Sequence, residues 1–361
     1  MRLLIAGGGT GGHLYPGIAV ARDLLARMPD ARVTFVGTAH GIEARVLPRE
    51  DLTLDVIRST GLKGKSPAAV IRGAALLPLS AVDAWRVISR RSPDVVLGLG
   101  GYSSAPVVML AALRGIPTMV MEQNAIPGFS NRRLAPLVKA AAVTYEDALA
   151  FFGAKAFVSG NPVRSEFFEG AHDEQESPPG AARVLVFGGS QGAHAINMAM
   201  VDAAPRLAAA AGRLAITHQT GERDLEMVRD GYRRAGLQAR VEPFLYHMDG
   251  EMKGADIVVS RAGATTLAEL AAAGKAAILV PLPTATDDHQ RRNAKAFVRE
   301  GAAVMVEQKD LTGERLAREL FALAENAGRR REVATAARQL ARPDAAKVIV
   351  DRILELAGGR A

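Results

Sequence analysis

Short runs of β-branched and other apolar residues, most of them closed by glycine, alternate along this chain with longer stretches rich in Ala, Leu and Arg. A run of about four to six apolar residues is too short for a helix and reads as a strand buried on both faces; the longer stretches read as the helices that cover it. In the first half the expected strands are LLIA at 3–6, VTFV at 33–36, VVLG at 95–98 and TMVM at 118–121. The second half repeats the scheme with VLVF at 184–187 and IVVS at 257–260. Alternation of this kind predicts repeated βαβ units, hence the α/β class with parallel sheets. LLIA runs into GGGTGGH as VLVF runs into GGSQGAH, and VVLGLGGYSS is echoed by IVVSRAGATT. Such matched pairs predict two Rossmann-like domains whose parallel sheets face each other across a cleft, lined by the loops that follow the carboxyl ends of the strands.

Length and composition agree with two cores, since 361 residues with 48% hydrophobic content exceed what one core usually holds. The segment AHDEQESPPG at 171–180 is polar, acidic and proline-rich and reads as a linker. Beyond Leu311 the pattern is helical, broken at Arg342 and Pro343, and its last amphipathic stretch, 345–356, is expected to pack back on the first domain. The expected division is therefore 1–163, 164–341 and a returning helix in 342–361. Cysteine is absent, which excludes disulfide frameworks, thiolate metal sites and cysteine nucleophiles. The apolar run in MRLLIAGGG is too short for a secretory signal, and no uncharged apolar run reaches the roughly 18 residues of a membrane span, so a soluble or peripheral protein is expected.

A net charge of +7 raises the question of nucleic acid, and the placement of the charge answers it. Arg58, Lys63, Lys65, Arg72, Arg86, Arg90 and Arg91 face only Asp83 within their window, and the spaces between them hold Val70, Ile71, Leu76, Leu77, Leu79, Val82 and Trp85. Apolar residues rimmed by cations suit an anionic membrane surface rather than the basic and aromatic interleaving of a nucleic-acid binder. Ile71, Arg72, Leu76, Leu77, Leu79, Trp85 and Arg86 form the expected membrane patch, with an interior helix face as its bland alternative.

The glycine loop from Gly7 to His13 contains G-x-G-x-x-G, whose backbone amides and following helix dipole favour a phosphate or diphosphate. A dinucleotide site would also need an acid at the end of the second strand, where this chain has Val36-Gly37-Thr38, so a nicotinamide-dependent oxidoreductase is disfavoured. His13, directly after the glycines, is the candidate general base, because histidine titrates nearest neutrality. Its alternative is a solvated or helix-capping histidine. The second loop, Gly188 to Ala193, lacks a P-loop lysine; its amides and the Ser190 hydroxyl could carry the phosphates of a nucleotide sugar. In RAGATTLAE, Thr265 or Thr266 can cap a helix, and Glu269 can accept both hydroxyls of a ribose or merely answer a helix dipole in its first turn. Asp287 to Ala294 is a polar cluster fit for sugar hydroxyls or for a solvated helix start. No D-x-D sequence is present to hold a divalent ion on a diphosphate, so no metal and no cofactor are expected, and Arg164 in GNPVR is placed to meet phosphate charge or to form an interdomain salt bridge.

Taken in order, GGGTGGHLYPG, GLGGYSSAP, EQNAIPG, GNPVR, GGSQGA, RAGATTLAEL and DDHQRRNA closely resemble the MurG family of N-acetylglucosaminyltransferases, two-domain enzymes of the GT-B type, over nearly the whole chain. The resemblance implies a UDP-N-acetylglucosamine site made by Arg164, Ser190, Ala264, Thr265, Glu269 and Gln290, completed by Thr10, Gly11, Gly12 and Asn124. It implies an undecaprenyl-diphosphoryl N-acetylmuramoyl-pentapeptide acceptor, a peripheral location on the cytoplasmic face of the cell membrane, and transfer with inversion. Met121 stands where some members of the family carry histidine, so no role for a second histidine carries over, and His289 stands where some carry glutamine, which leaves Gln290 as the safer sugar contact. The competing classes are a sugar-nucleotide epimerase on the same plan, the oxidoreductase and a non-catalytic membrane scaffold.

Overall fold

The computed structural model describes residues 1–59, 76–169, 181–189, 192–210 and 212–359, and at Leu77 the backbone only. Ile71, Arg72 and Ser190, the basic residues Lys63 and Lys65, and the linker segment 171–180 lie outside the described residues. The chain forms two compact units: Met1–Arg164 together with Arg342–Ala361, and Ser165–Ala341. Arg164, which the sequence reading assigned to the second domain, belongs to the first unit.

The first unit is built on a seven-stranded sheet in the order β3-β2-β1-β4-β5-β6-β7, every pair parallel. The strands are β1 (Arg2–Gly7), β2 (Arg32–Gly37), β3 (Thr53–Val56), β4 (Val95–Gly100), β5 (Thr118–Glu122), β6 (Ala140–Val143) and β7 (Ala156–Val158). Because side chains alternate across a strand, Leu3 and Ile5 of β1 point to one face and Leu4 and Ala6 to the other, and each face has its own core. On the first face Leu14, Ile18 and Leu24 of the helix Gly11–Arg27 meet Ile349, Val350 and Ile353 of the last helix, Ala345–Gly358. That last helix is therefore part of the first unit's core, tied at its rim by Arg27 Nη1 to Asp351 Oδ1 at 2.6 Å. On the second face Ala84, Val87 and Ile88 of the helix Leu77–Arg91 pack with Val107 and Val108 of the helix Ser104–Leu113.

The second unit repeats the winding with six parallel strands in the order β10-β9-β8-β11-β12-β13. These are β8 (Ala182–Phe187), β9 (Leu214–Gln219), β10 (Ala239–Glu242), β11 (Ile257–Ser260), β12 (Ala276–Leu279) and β13 (Val304–Met305). In both units the strand order reverses at the first strand, so the loops after β1 and β4, and after β8 and β11, flank a topological switch point. The matched sequence pairs are these loops.

A polar chain crosses the second unit's apolar core. Asn197 Nδ2 donates to Thr220 O at 2.9 Å, which turns its Oδ1 toward His218 Nε2 at 3.0 Å, so that nitrogen carries the hydrogen. His218 Nδ1 then accepts from the Tyr232 hydroxyl at 2.7 Å. Burial drives the His218 pKa down to about 3 and pushes the Tyr232 hydroxyl far above its ordinary value. The folded chain keeps His218 neutral while the unfolded chain binds a proton below about pH 6.5, so this group's stabilising effect is complete above that pH and is lost as the pH falls toward 3. From one pKa unit per 1.36 kcal/mol, the loss between pH 6.5 and 5 should be about 2 kcal/mol. Urea unfolding at the two pH values should show it, and His218→Gln should flatten that part of the profile; an equally steep profile in the variant would reject the assignment.

Candidate active site

The loop after β1 is shaped by a buried carboxylate. Glu43 Oε2 accepts from the Gly9 amide at 2.7 Å, and Oε1 accepts from the Thr38 amide at 2.8 Å and the Thr38 hydroxyl at 3.1 Å. Gly8, Gly37 and Gly41 line the space this carboxylate fills, and a Cβ at any of them would collide with it. One amide of the glycine loop is therefore committed to the protein itself, and the loop is a less complete phosphate cradle than its composition suggests. From Gly11 the chain runs as the helix Gly11–Arg27, with Thr10 at its N-cap and no side-chain cap.

His13 is the third residue of that helix, half-buried, and the N-cap of the helix is Thr10 rather than its imidazole. Its Nδ1 lies 3.0 Å from Oε1 of Gln123, the first residue after β5, and Gln123 Nε2 donates to the Leu99 carbonyl of β4 at 3.2 Å. The imidazole rests against the backbone of Gly100 and Gly101: a Cβ at Gly100, whose φ is +91°, would stand 3.4 Å from His13 Cε1. Next along the chain, Asn124 donates through its amide and Nδ2 to Glu122 Oε1 at 3.0 and 3.2 Å. The other oxygen of the buried Glu122 takes the Gly128 amide at 3.0 Å and Asn131 Nδ2 at 2.9 Å. Arg164 lies over the ring of Tyr15, two residues beyond His13, with its Cζ 5.1 Å from the centroid. Thr10, Gly11, Gly12, His13, Asn124 and Arg164 thus belong to the carboxyl end of the first sheet.

In the second unit a cavity of about 390 Å³ is lined by Gly188, Gly192, Ala193, His194, Ala195, Arg261, Leu282, Gln290 and Gln308. Arg261 supplies a cation there. Its Nη1 donates to Val280 O at 3.1 Å and its Nη2 to Gln308 Oε1 at 2.8 Å, while burial lowers its pKa from the ordinary value. Gln290 is oriented by its Oε1, which accepts from the Leu282 amide at 3.0 Å and leaves Nε2 as the donor end. Asp287 and Asp288, separated from it by His289, both have left-handed backbones, at φ 54° and 56°, a strain proteins tend to keep where function requires it. His194 opens the helix His194–Ala209 and bonds Asp224 Oδ2 at 2.9 Å through Nδ1. Burial opposes the Asp224 charge, but His194 and Asn197 outweigh it and hold the carboxyl below the usual range.

Two expectations for the RAGATT loop need correction. The helix after β11 is Ala264–Ala273 and its N-cap is Gly263, so Thr265 and Thr266 lie inside the first turn and do not cap it. The extended backbone at Gly263, with Leu267 N bonded to Gly263 O at 3.0 Å, starts the helix before the threonines are reached. Glu269 falls beyond the first turn, so it is not a dipole-answering first-turn acid either. Ala264, Thr265 and Glu269 are not among the lining residues of the cavity, whereas Gln290 is. Reading the sequence passed over Glu43, Gln123, Glu122, Arg261, His194 and Gln308. Gln123 and Arg261 lie inside quoted motifs; Glu43 and Gln308 carry no local signal and are brought in by the fold.

The cation window also changes in three dimensions. The helix Leu77–Arg91 leaves Leu79 at 40%, Val82 at 44% and Trp85 at 51% exposure, with Arg86 beside them and Leu76 half-buried at the start. Arg114 stacks over Trp85 at 4.4 Å. Arg58 pairs with Asp83 at 2.7 Å, while Arg90 and Arg91 close on Asp55 of β3 at 2.7 and 2.8 Å. The Arg91 hydrogen bond, opposed by burial and aided by Arg90, holds Asp55 below the usual carboxylate range. Asp55 lies outside the window as counted along the sequence and takes two of its seven cations, and Asp83 within it takes a third, Arg58. No helix among the described residues is long and apolar enough to cross a membrane.

Residues 3–143 match the glycosyltransferase family 28 N-terminal domain and residues 183–349 its C-terminal domain. Over 357 residues, 99% of this chain and 93% of its relative, the chain is 49% identical to the UDP-N-acetylglucosamine--N-acetylmuramyl-(pentapeptide) pyrophosphoryl-undecaprenol N-acetylglucosamine transferase of Anaeromyxobacter sp. (strain K). Among solved structures it is similar to MurG of Acinetobacter baumannii, at 33% identity and a TM-score of 0.78, covering 98% of this chain and 99% of that one. The UDP-GlcNAc 2-epimerase of Neisseria meningitidis covers 98% and 100% with a TM-score of 0.69 but only 15% identity, a likeness of fold alone.

Glu43 gives this site its most direct test. Glu43→Ala leaves the Gly9 and Thr38 amides without their buried acceptor and should lower stability by about 2–3 kcal/mol. Thermal unfolding would measure it, and a loss below about 0.5 kcal/mol would show that the carboxylate does not hold the loop.

Proposed function

We propose, from the premise that this chain belongs to glycosyltransferase family 28 and within it to the MurG family, a transfer of N-acetylglucosamine from UDP to the undecaprenyl-diphosphoryl muramoyl-pentapeptide. The observation that carries this is the 49% identity, over nearly the full length, with a transferase named for that reaction, joined to a cavity of about 390 Å³ that contains Arg261 and an oriented Gln290.

The donor sugar is α-linked and a single in-line displacement gives the β-linked product. The acceptor 4-hydroxyl oxygen forms a bond to the anomeric carbon as the bond from that carbon to the β-phosphate oxygen breaks, and UDP leaves with the electron pair. His13 takes the hydroxyl proton. Charge growing on the diphosphate is met by Arg261, by Arg164 and by the starts of the helices His194–Ala209 and Ala264–Ala273, neither of which has a side-chain cap. Gln290 Nε2 donates to sugar hydroxyls, Glu269 accepts from the ribose, and Ala264 and Thr265 border the nucleotide. Ser190 contributes a hydroxyl to the phosphates. Thr10, Gly11, Gly12 and Asn124 complete the donor's surroundings from the first unit. We assign the peripheral membrane contact, on the cytoplasmic face, to the helix Leu77–Arg91. Its exposed Leu79, Val82 and Trp85 supply apolar area, and Arg86 supplies charge for anionic headgroups.

Incubation with labelled UDP-N-acetylglucosamine and the lipid-linked muramoyl-pentapeptide should give labelled disaccharide-lipid and UDP. An altered sugar released without acceptor would support an epimerase instead. In the same assay His13→Ala should lower kcat by roughly 10²- to 10⁴-fold, and a loss below about threefold would reject His13 as the base. Leu79→Ser combined with Trp85→Ser should weaken binding to anionic vesicles by roughly tenfold or more, since each side chain contributes about 1–2 kcal/mol of apolar transfer. Turnover of a short-chain soluble acceptor should be unchanged; undiminished vesicle binding would remove the helix from the membrane contact.

A further inference from the structure

The hydrogen bonds around His13 determine where its proton sits. The Leu99 carbonyl can only accept, so the Gln123 group facing it at 3.2 Å is the NH₂, and the amide oxygen is the end that faces His13 Nδ1 at 3.0 Å. An amide oxygen also only accepts, so Nδ1 must carry the hydrogen. With one ring hydrogen in the neutral imidazole, Nε2 holds a lone pair, and it has no hydrogen-bond partner among the described residues. Gln123 is buried, and its carbonyl anchor belongs to the central strand β4, so the amide has little freedom to turn over. The ring lies against Gly100 and Gly101, whose missing side chains leave it one flat seat.

We infer that Gln123 is a positioning residue for the transfer, relaying the polarity of the Leu99 carbonyl to hold His13 as its Nδ1–H tautomer with Nε2 presented as the proton acceptor. This rests on the reading of His13 as general base and adds the reason the base needs no carboxylate partner. Its logic is that of a buried acid behind a catalytic histidine, with a neutral amide in place of the charge. Asn131, beside the Gly100 seat, directs its Nδ2 to Met121 O and to Glu122 Oε2, each at 2.9 Å, so that donor is not offered to the ring, while its buried Oδ1 has no partner among the described residues.

The decisive measurement is the ¹⁵N spectrum of the His13 imidazole in the full chain, assigned with His13→Gln. A protonated Nδ1 and an unprotonated Nε2 at a pH where the ring is neutral are expected; the opposite tautomer overturns the proposal. Gln123→Met keeps the length and removes both bonds, and should release the tautomer and lower kcat by about tenfold, one order of the roughly 10²- to 10⁴-fold that a general base supplies. The KM for UDP-N-acetylglucosamine should stay within about twofold, as expected for a group acting on the chemical step rather than on ground-state binding. Gln123→Glu in its acid form rebuilds both bonds, its O–H donating to Leu99 O and its carbonyl accepting from Nδ1–H, and should keep the Nδ1–H tautomer and kcat within about threefold of the native chain. Equal impairment of both variants, or full activity in Gln123→Met, overturns the relay. If His13→Ala remains active while the native spectrum shows Nδ1–H, the base reading fails and the tautomer assignment stands; if His13→Ala is inactive and the native ring is Nε2–H, the relay fails and the base reading stands. Should Gln123→Met not fold, the native spectrum alone decides.

Discussion

A carboxylate placed where three glycines leave room for it governs the first unit's end. Glu43 lies close to the backbone of the β1 loop and to the end of β2, and it takes hydrogens from both. Moving a carboxylate out of water is costly unless its oxygens are fully met, and here three donors meet them. The glycines are needed because a Cβ would occupy the volume of the acid, and the acid is needed because the Gly9 and Thr38 amides would otherwise be buried without an acceptor. The direction in which the chain leaves the loop follows from that arrangement, and so does the position of His13 on the first turn of the next helix.

The two units wind their strands in the same order, yet the loops at their switch points have opposite electrostatic character. The first end is organised around Glu43, met by two backbone amides and the Thr38 hydroxyl, and Glu122, met by backbone and side-chain amides. The second is organised around Arg261, with His194 also in the cavity lining. An anionic leaving group suits a cation and helix starts, while a neutral hydroxyl to be deprotonated suits a half-buried imidazole with a free lone pair. A shared winding thus carries different chemistry through a handful of loop residues, as expected where function is grafted on a scaffold.

The strands were legible wherever β-branched residues ran together. IVVS matches β11 to the residue, and LLIA and VLVF are extended by only one or two positions. Strand β6 is AAAV, a composition that favours helix; it is a strand because it lies buried between β5 and β7, a tertiary preference overriding a local one. The glycine loops, His13 and Gln290 could be singled out because a motif marks them. Glu43 could not, because its role depends on a loop far away along the chain, and Asp55 could not, because β3 carries it beneath Arg90 and Arg91. The mistaken threonine cap has a local cause: Ser and Thr are common caps, but an extended glycine had already filled that position.

The closing helix, Ala345–Gly358, has a bearing on biosynthesis. Ile349, Val350 and Ile353 are the last pieces of a core begun by Leu3 and Ile5, and the whole of the second unit is synthesised between them. Until that helix has been synthesised, this face of the first sheet is only partly covered, by the helix Gly11–Arg27, and the apolar side chains that meet Ile349, Val350 and Ile353 stay open to water or to chaperones. The second unit has no such debt to later sequence. A nascent chain of this kind completes its later half first, and a deletion of the last dozen or so residues would strip an already assembled sheet rather than trim a tail.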